Sequence, residues 1–129
     1  MILTIRTDKP EAEIGLFDNS TNLAYNKWEA HRQLSETIHK KIETLLKSRG
    51  KDWQDLDGLV CFKGPGSFTG LRIGLSVGSA LAYSLGIPIV TEKGENWQQA
   101  GIERLAKGKS EKIALPDYGG EAYTTLPRK

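Results

Sequence analysis

The sequence predicts a single α/β domain on a mixed sheet, an antiparallel meander followed by helix, strand, helix and strand. Three observations predict it. Three short strand-type runs joined by polar turns open the chain. An uninterrupted apolar run, Leu59-Val60-Cys61-Phe62, follows the first helical pattern, as expected for a strand covered on both faces. A glycine-rich loop then leads into a second helical pattern. With 129 residues the chain can build one core but not two ordinary domains.

Ile2 to Ile5 reads as a buried strand. Ala12 to Phe17, with Ile14 and Leu16 alternating against Glu13 and Gly15, reads as a second. Asp18-Asn19-Ser20 supplies the turn into a third, Leu23 to Trp28. A helix is expected from about Ala30 to Lys47, because Leu34, Ile38, Ile42, Leu45 and Leu46 form one stripe with Glu36, Lys40, Glu43 and Lys47 off it. Arg49-Gly50 ends it. After the glycine loop come a helix from about Phe68 to Leu85, which the right-handed crossover rule puts on one face of the sheet, and a strand from Ile87 to Val90. A modest helix from Trp97 to Lys107, a last strand from Lys112 to Leu115 and an extended tail from Asp117 to Lys129 complete the reading. No internal repeat or low-complexity segment is present in the sequence.

Composition narrows the function. The net charge is only +2, whereas a domain that grips nucleic acid by itself usually carries a strong basic excess. Cys61, the single cysteine, allows no intrachain disulfide and no multi-cysteine metal site, and reads as a core residue in a reducing compartment. The apolar start is broken at once by Arg6, Asp8 and Lys9, unlike a signal peptide, so a cytoplasmic location is expected. Ile73 to Val90 carries no charge and meets the rough minimum of 18 residues for a membrane span. Its glycines, its serines and Pro88 make it a helix end followed by a short strand instead, and no membrane contact is expected.

The loop Gly64-Pro65-Gly66-Ser67-Phe68-Thr69-Gly70-Leu71-Arg72 is the distinctive feature. It lies between a strand and a helix, where backbone N–H groups can hold an anion. A P-loop needs Lys and then Ser or Thr after its second glycine; Gly70 is followed by Leu71-Arg72, so that motif is excluded. Gly64, Gly66 and Gly70 meet a dinucleotide spacing, with Glu92 as a ribose acceptor, but Pro65 removes an N–H and too little chain follows for a second half. Gly64, Gly66, Ser67, Thr69 and Arg72 are nevertheless the residues an anion or nucleotide would meet. Ser67 and Thr69 lack a visible base and suit helix capping better than nucleophilic attack.

His31 and His39 are about 80° apart around a helix, poor for joint ligation, and no metal is expected. Asp52, Asp55 and Asp57 read as a solvated turn and cap, and the basic run from Lys40 to Lys51 as a solvated face. The second helix carries Gly70, Gly74, Gly78 and Ala82 four residues apart on one face. That face either packs on the sheet or lets another helix approach closely, flanked by Ile73, Val77, Ala80 and Leu81. Leu34, Ile38 and Ile42 on the first helix are likewise either core or interface.

The string Gly64-Pro65-Gly66-Ser67-Phe68-Thr69-Gly70-Leu71-Arg72-Ile73-Gly74 resembles the signature of the TsaB (YeaZ) family. His31-Arg32-Gln33-Leu34-Ser35, Asp55 to Leu59, Leu85-Gly86-Ile87-Pro88 and the ending Pro116 to Ala122 are similar in order and distance. The resemblance implies an actin/Hsp70-like (ribonuclease H-like) half, with residues 1–92 as the N-terminal domain and 93–129 as a short helix and tail completing it. It also implies a shortened form lacking most of the second subdomain. By resemblance the chain is a non-catalytic subunit without cofactor. Its two helices would pair with a TsaD-like catalytic subunit through Leu34, Ile38, Ile42, Gly70, Ile73, Gly74, Val77, Gly78 and Leu81. TsaD transfers threonylcarbamoyl to the tRNA adenosine 3′ of the anticodon, a TsaE-like ATPase assists, and tRNA is met only indirectly. The same helices would serve a homodimer. One departure stands out: the family's first strand usually ends in an Asp-Thr-Ser type run, and here Arg6-Thr7-Asp8 replaces it. TsaD's His-x-x-x-His spacing is also absent, since Ser35 follows His31 by four. The competing reading is a nucleotide- or dinucleotide-binding enzyme using the Gly64 to Gly70 loop.

Overall fold

The structure is a computed structural model that describes residues 1–30, 33–66 and 68–111, with the backbone alone for Phe68. Five strands, β1 (Ile2–Arg6), β2 (Glu11–Asp18), β3 (Thr21–Glu29), β4 (Gly58–Phe62) and β5 (Ile89–Glu92), form one sheet in the order β3-β2-β1-β4-β5. β1, β2 and β3 pair antiparallel, as their short polar turns require, while β4 and β5 join parallel to β1 through helical crossovers. Asn19, at φ 55°, takes the left-handed conformation in the β2–β3 turn that asparagine tolerates.

Helix α1 (Leu34–Ser48) covers β2 and β3, α2 (Phe68–Leu85) lies over β4 and β1, and α3 (Trp97–Ala106) packs on β5 and β4. Two glycines show that α2 and α3 take opposite faces. A methyl group on Gly78 of α2 would lie 2.5 Å from Cys61 Sγ, and one on Gly101 of α3 would lie 2.3 Å from Val60. Cys61 and Val60 are consecutive in β4 and point to opposite sides. Both sides being covered, every residue of β4 is buried. The core beneath α1 and α2 is built from Leu3, Ile5, Ile14, Leu16, Ile38, Ile42, Leu46 and Leu71.

Within the described residues the expected elements are all present, with several boundaries shifted. α1 starts at Leu34, not Ala30. The Ala30 N–H is bonded to Pro10 O at 2.9 Å and its carbonyl accepts from Gln33 N at 2.8 Å, so Ala30 closes β3 in a turn. β5 begins at Ile89, not Ile87, because Pro88 brings no N–H to the ladder, although its carbonyl accepts from Leu59 N at 3.0 Å. α3 ends at Ala106. Asp52 caps a short 3₁₀ turn at Trp53–Asp55, with Asp55 closing the capping box, as a solvated turn and cap would. The anticipated strand from Lys112 and the tail lie outside the described residues, as do His31 and Ser67. Among the described residues no helix is long and apolar enough to cross a membrane. The uncharged run from Ile73 divides at Gly86, φ 68°, into the end of α2 and the approach to β5.

Candidate functional site

The glycine loop leaves β4 beside the end of β1. There Arg6, Thr7 and Asp8 follow one another with three different tasks. Thr7 is buried and donates its hydroxyl to the Gly70 carbonyl in the first turn of α2, at 2.7 Å. Asp8 turns toward the loop: a methyl group on Gly66 would lie 2.6 Å from Asp8 Cβ and 3.3 Å from its Oδ2. Arg6 holds that carboxylate with two hydrogen bonds, Nε to Oδ1 at 2.8 Å and Nη2 to Oδ2 at 3.3 Å. Its guanidinium carbon sits 3.9 Å from the centre of the Phe62 ring, and Phe62 meets Trp97 edge-on at 5.6 Å. The hydrogen bond to Asp8 raises the Arg6 pKa, so the cation is permanent.

Next to this pair, Tyr25 donates its hydroxyl to Glu13 at 2.6 Å, and Gln98 of α3 donates to both Tyr25 Oη and Thr4 Oγ1 at 3.2 Å. Burial and the Glu13 hydrogen bond raise the Tyr25 pKa, so the phenol stays protonated. On the far side, Glu92 is taken by Arg104 Nη1 at 2.7 Å. The acceptor that a dinucleotide ribose would need is therefore already engaged. Among the described residues no three of His, Cys, Asp and Glu come together as a metal-ligating group.

The structure sorts the residues that the sequence offers as interface. Leu34, Ile38 and Ile42 are buried under α1. The stripe Gly70, Gly74, Gly78 and Ala82 faces the sheet: a methyl on Gly74 would lie 2.1 Å from Thr7 Oγ1, and Ala82 is buried. Ile73, Val77 and Leu81 are half-buried, and outside them α2 exposes Arg72, Ser76, Ala80 and Tyr83, the last at 91%. Of the loop residues, Gly64 is buried at φ 103°, and Gly66, Thr69 and Arg72 are exposed. Gly66 lies against Asp8 at the end of β1, so Asp8 is the acid the loop meets. Where an Asp-Thr-Ser type run opens on its acid, this chain has Arg6; the acid follows two residues later as Asp8, and the cation is its partner.

A sequence model of a family described as "TsaD: tRNA N6-adenosine threonylcarbamoyltransferase" matches residues 28–93. The chain is 36% identical over 88 residues to the tRNA threonylcarbamoyladenosine biosynthesis protein TsaB of Bacillus subtilis, covering 68% of this chain and 38% of that protein. It is 29% identical over 128 residues to TsaB of Escherichia coli, covering 95% and 52%.

The chain belongs to the TsaB (YeaZ) family, within the group that the TsaD model describes.

A tRNA N6-adenosine threonylcarbamoyltransferase of Geotalea uraniireducens is 42% identical over 100 residues, 75% of this chain and 28% of that protein. The chain thus spans between 28% and 52% of the lengths of these three relatives. Among solved structures, YeaZ from Pseudomonas aeruginosa superposes with a TM-score of 0.66 at 24% identity, over 71% of this chain and 43% of that one. RuvC of T. thermophilus in complex with a Holliday junction substrate gives 0.54 at 12% identity, over 94% and 83%. These two likenesses show the fold. They also match the architecture expected from the meander and the two crossovers.

Proposed function

We propose that the chain serves tRNA threonylcarbamoyladenosine biosynthesis as an accessory subunit without catalytic residues of its own, paired through its helices with a TsaD-like catalytic subunit. Threonylcarbamoyl would be installed on the tRNA adenosine 3′ of the anticodon by that partner, with a TsaE-like ATPase in the assembly and tRNA touched only indirectly. The observation that carries the reading is the outer side of α2. It offers a half-buried apolar strip, Ile73, Val77 and Leu81, bordered by Ala80 and by Tyr83, a large aromatic left 91% exposed. An aromatic on a helix surface beside aliphatic side chains is the composition of a contact centre. The relatives add support, because a protein named TsaB and a tRNA N6-adenosine threonylcarbamoyltransferase both match this chain, over 68% and 75% of it. Two subunits built on one fold can pair like helices across a pseudo-twofold axis, and the same geometry would serve a homodimer.

The glycines of α2 are poor probes of this contact, since Gly74 and Gly78 support the sheet. The test is co-elution of the chain with its cognate TsaD-like protein, comparing wild type with Val77→Glu and Ala80→Arg. Loss of co-elution and of tRNA modification, in variants that keep their folded circular dichroism, is the expected result. Intact complexes and modification in both variants, or nucleotide turnover by the isolated chain, would overturn it in favour of an enzyme using the Gly64 to Gly70 loop.

A further inference from the structure

An actin-like fold implies a nucleotide, and the residues at the glycine loop allow a test of whether one fits. A phosphate held by this loop must lie against the backbone around Gly66 and must be neutralised by a cation. At the end of β1 that space and the Arg6 cation are already engaged. The Asp8 side chain lies against Gly66, at a distance that leaves no room for even a methyl group between them. Arg6, at the end of β1, spends its Nε and Nη2 on the two Asp8 oxygens. The pair is sheltered, with 21% of the Arg6 side chain and 8% of the Asp8 side chain exposed. It is anchored below by the Phe62 ring. Pro65 supplies no N–H between the two glycines. A nucleotide phosphate does not fit this arrangement.

We infer that Asp8, clamped by Arg6, is an internal anion that occupies the place of a phosphate at the Gly64–Gly66 loop, and that it keeps phosphates and nucleotides out of this half of the cleft. The carboxylate provides the negative charge, the guanidinium balances it, and the pair as a whole is neutral. A breached ion pair of this kind leaves its partner unsatisfied and ready to accept a replacement. Shortening Asp8 would therefore uncover an anion site formed by Arg6 and the loop. The inference does not depend on a protein partner, and a failed co-elution leaves it standing.

Its test uses inorganic phosphate and Mg-ADP with the isolated full chain. Wild-type protein is expected to show no saturable shift of the Gly66 amide resonance and no thermal response to either. Asp8→Ala is expected to bind phosphate about tenfold or more tighter, the scale of one charge-assisted hydrogen bond, and to gain in melting temperature as phosphate is added. Arg6→Ala combined with Asp8→Ala is expected to lose that response. Asp8→Ser replaces the alanine variant if the latter does not fold. Saturable phosphate or nucleotide binding at Gly66 in the wild type would overturn the inference. A folded Asp8→Ala or Asp8→Ser protein that ignores phosphate, or a response that survives removal of Arg6, would overturn it equally.

Discussion

Gly74 rests directly on Thr7: a single added methyl would stand 2.1 Å from the threonine hydroxyl, which itself donates to the Gly70 carbonyl one turn earlier. One side chain from the end of β1 thereby fixes both the height and the rotation of α2. Gly74→Ala should gain about 0.8–1 kcal/mol in helix propensity and lose about 1–3 kcal/mol to overpacking, a net destabilisation. Thr7→Ala should cost stability alone, through the lost hydrogen bond, yet recover part of the Gly74→Ala loss when the two are combined. Urea unfolding of the four proteins as a double-mutant cycle measures that coupling.

Tyr83 gives the opposite expectation. Its side chain is 91% exposed, so Tyr83→Ala should change stability by no more than about 0.5 kcal/mol. If α2 is a contact surface, the same substitution weakens association. Equal melting temperatures with an increased dissociation constant for the TsaD-like partner, measured by calorimetry, is the expected pattern.

The β5 edge is closed by dedicated groups. Its Thr91 N–H donates to Glu111 Oε2 at 2.8 Å and its carbonyl accepts from Arg104 Nη1 at 2.9 Å, while Ile89 O accepts from Glu111 N at 2.7 Å. Covering an edge in this way blocks pairing with another chain. Glu111→Ala should speed hydrogen exchange at the Thr91 amide selectively, leaving Val60 in the sheet centre protected, and should raise the tendency to aggregate. Amide exchange by NMR and light scattering read the two effects.

Alkaline pH should destabilise the fold through Cys61. Complete burial pushes its thiol up to about 12, above the ordinary value of 9.0. Between those values the unfolded chain has released its proton and the native chain has not, so stability falls as pH rises, by up to about 1.4 kcal/mol per pH unit. Below pH 9 the thiol contributes no slope. Cys61→Ala should flatten the decline between pH 9 and pH 11 in chemical denaturation, although Tyr25, raised in the same direction, leaves a residual slope.

The sequence by itself determined the order of elements, the antiparallel start, the buried β4 and the family. Each of these rests on local pattern: alternation in Glu11–Asp18, the stripe from Leu34 to Leu46, the apolar run at Leu59 and the glycine string. The alternatives it left open, core or interface for Ile38 and for the glycines of α2, are matters of which face meets which neighbour. Period and spacing give a face but not its direction, and only packing against Thr7 and Cys61 turned the glycines toward the sheet. The pairing of Arg6 with Asp8 against Gly66 was equally out of reach, because the loop and the end of β1 are far apart in the chain and meet through the parallel β1–β4 pairing. Sequence determined what the loop resembles. Tertiary structure decided what fills it, since a carboxylate and a phosphate compete for the same space and the same cation.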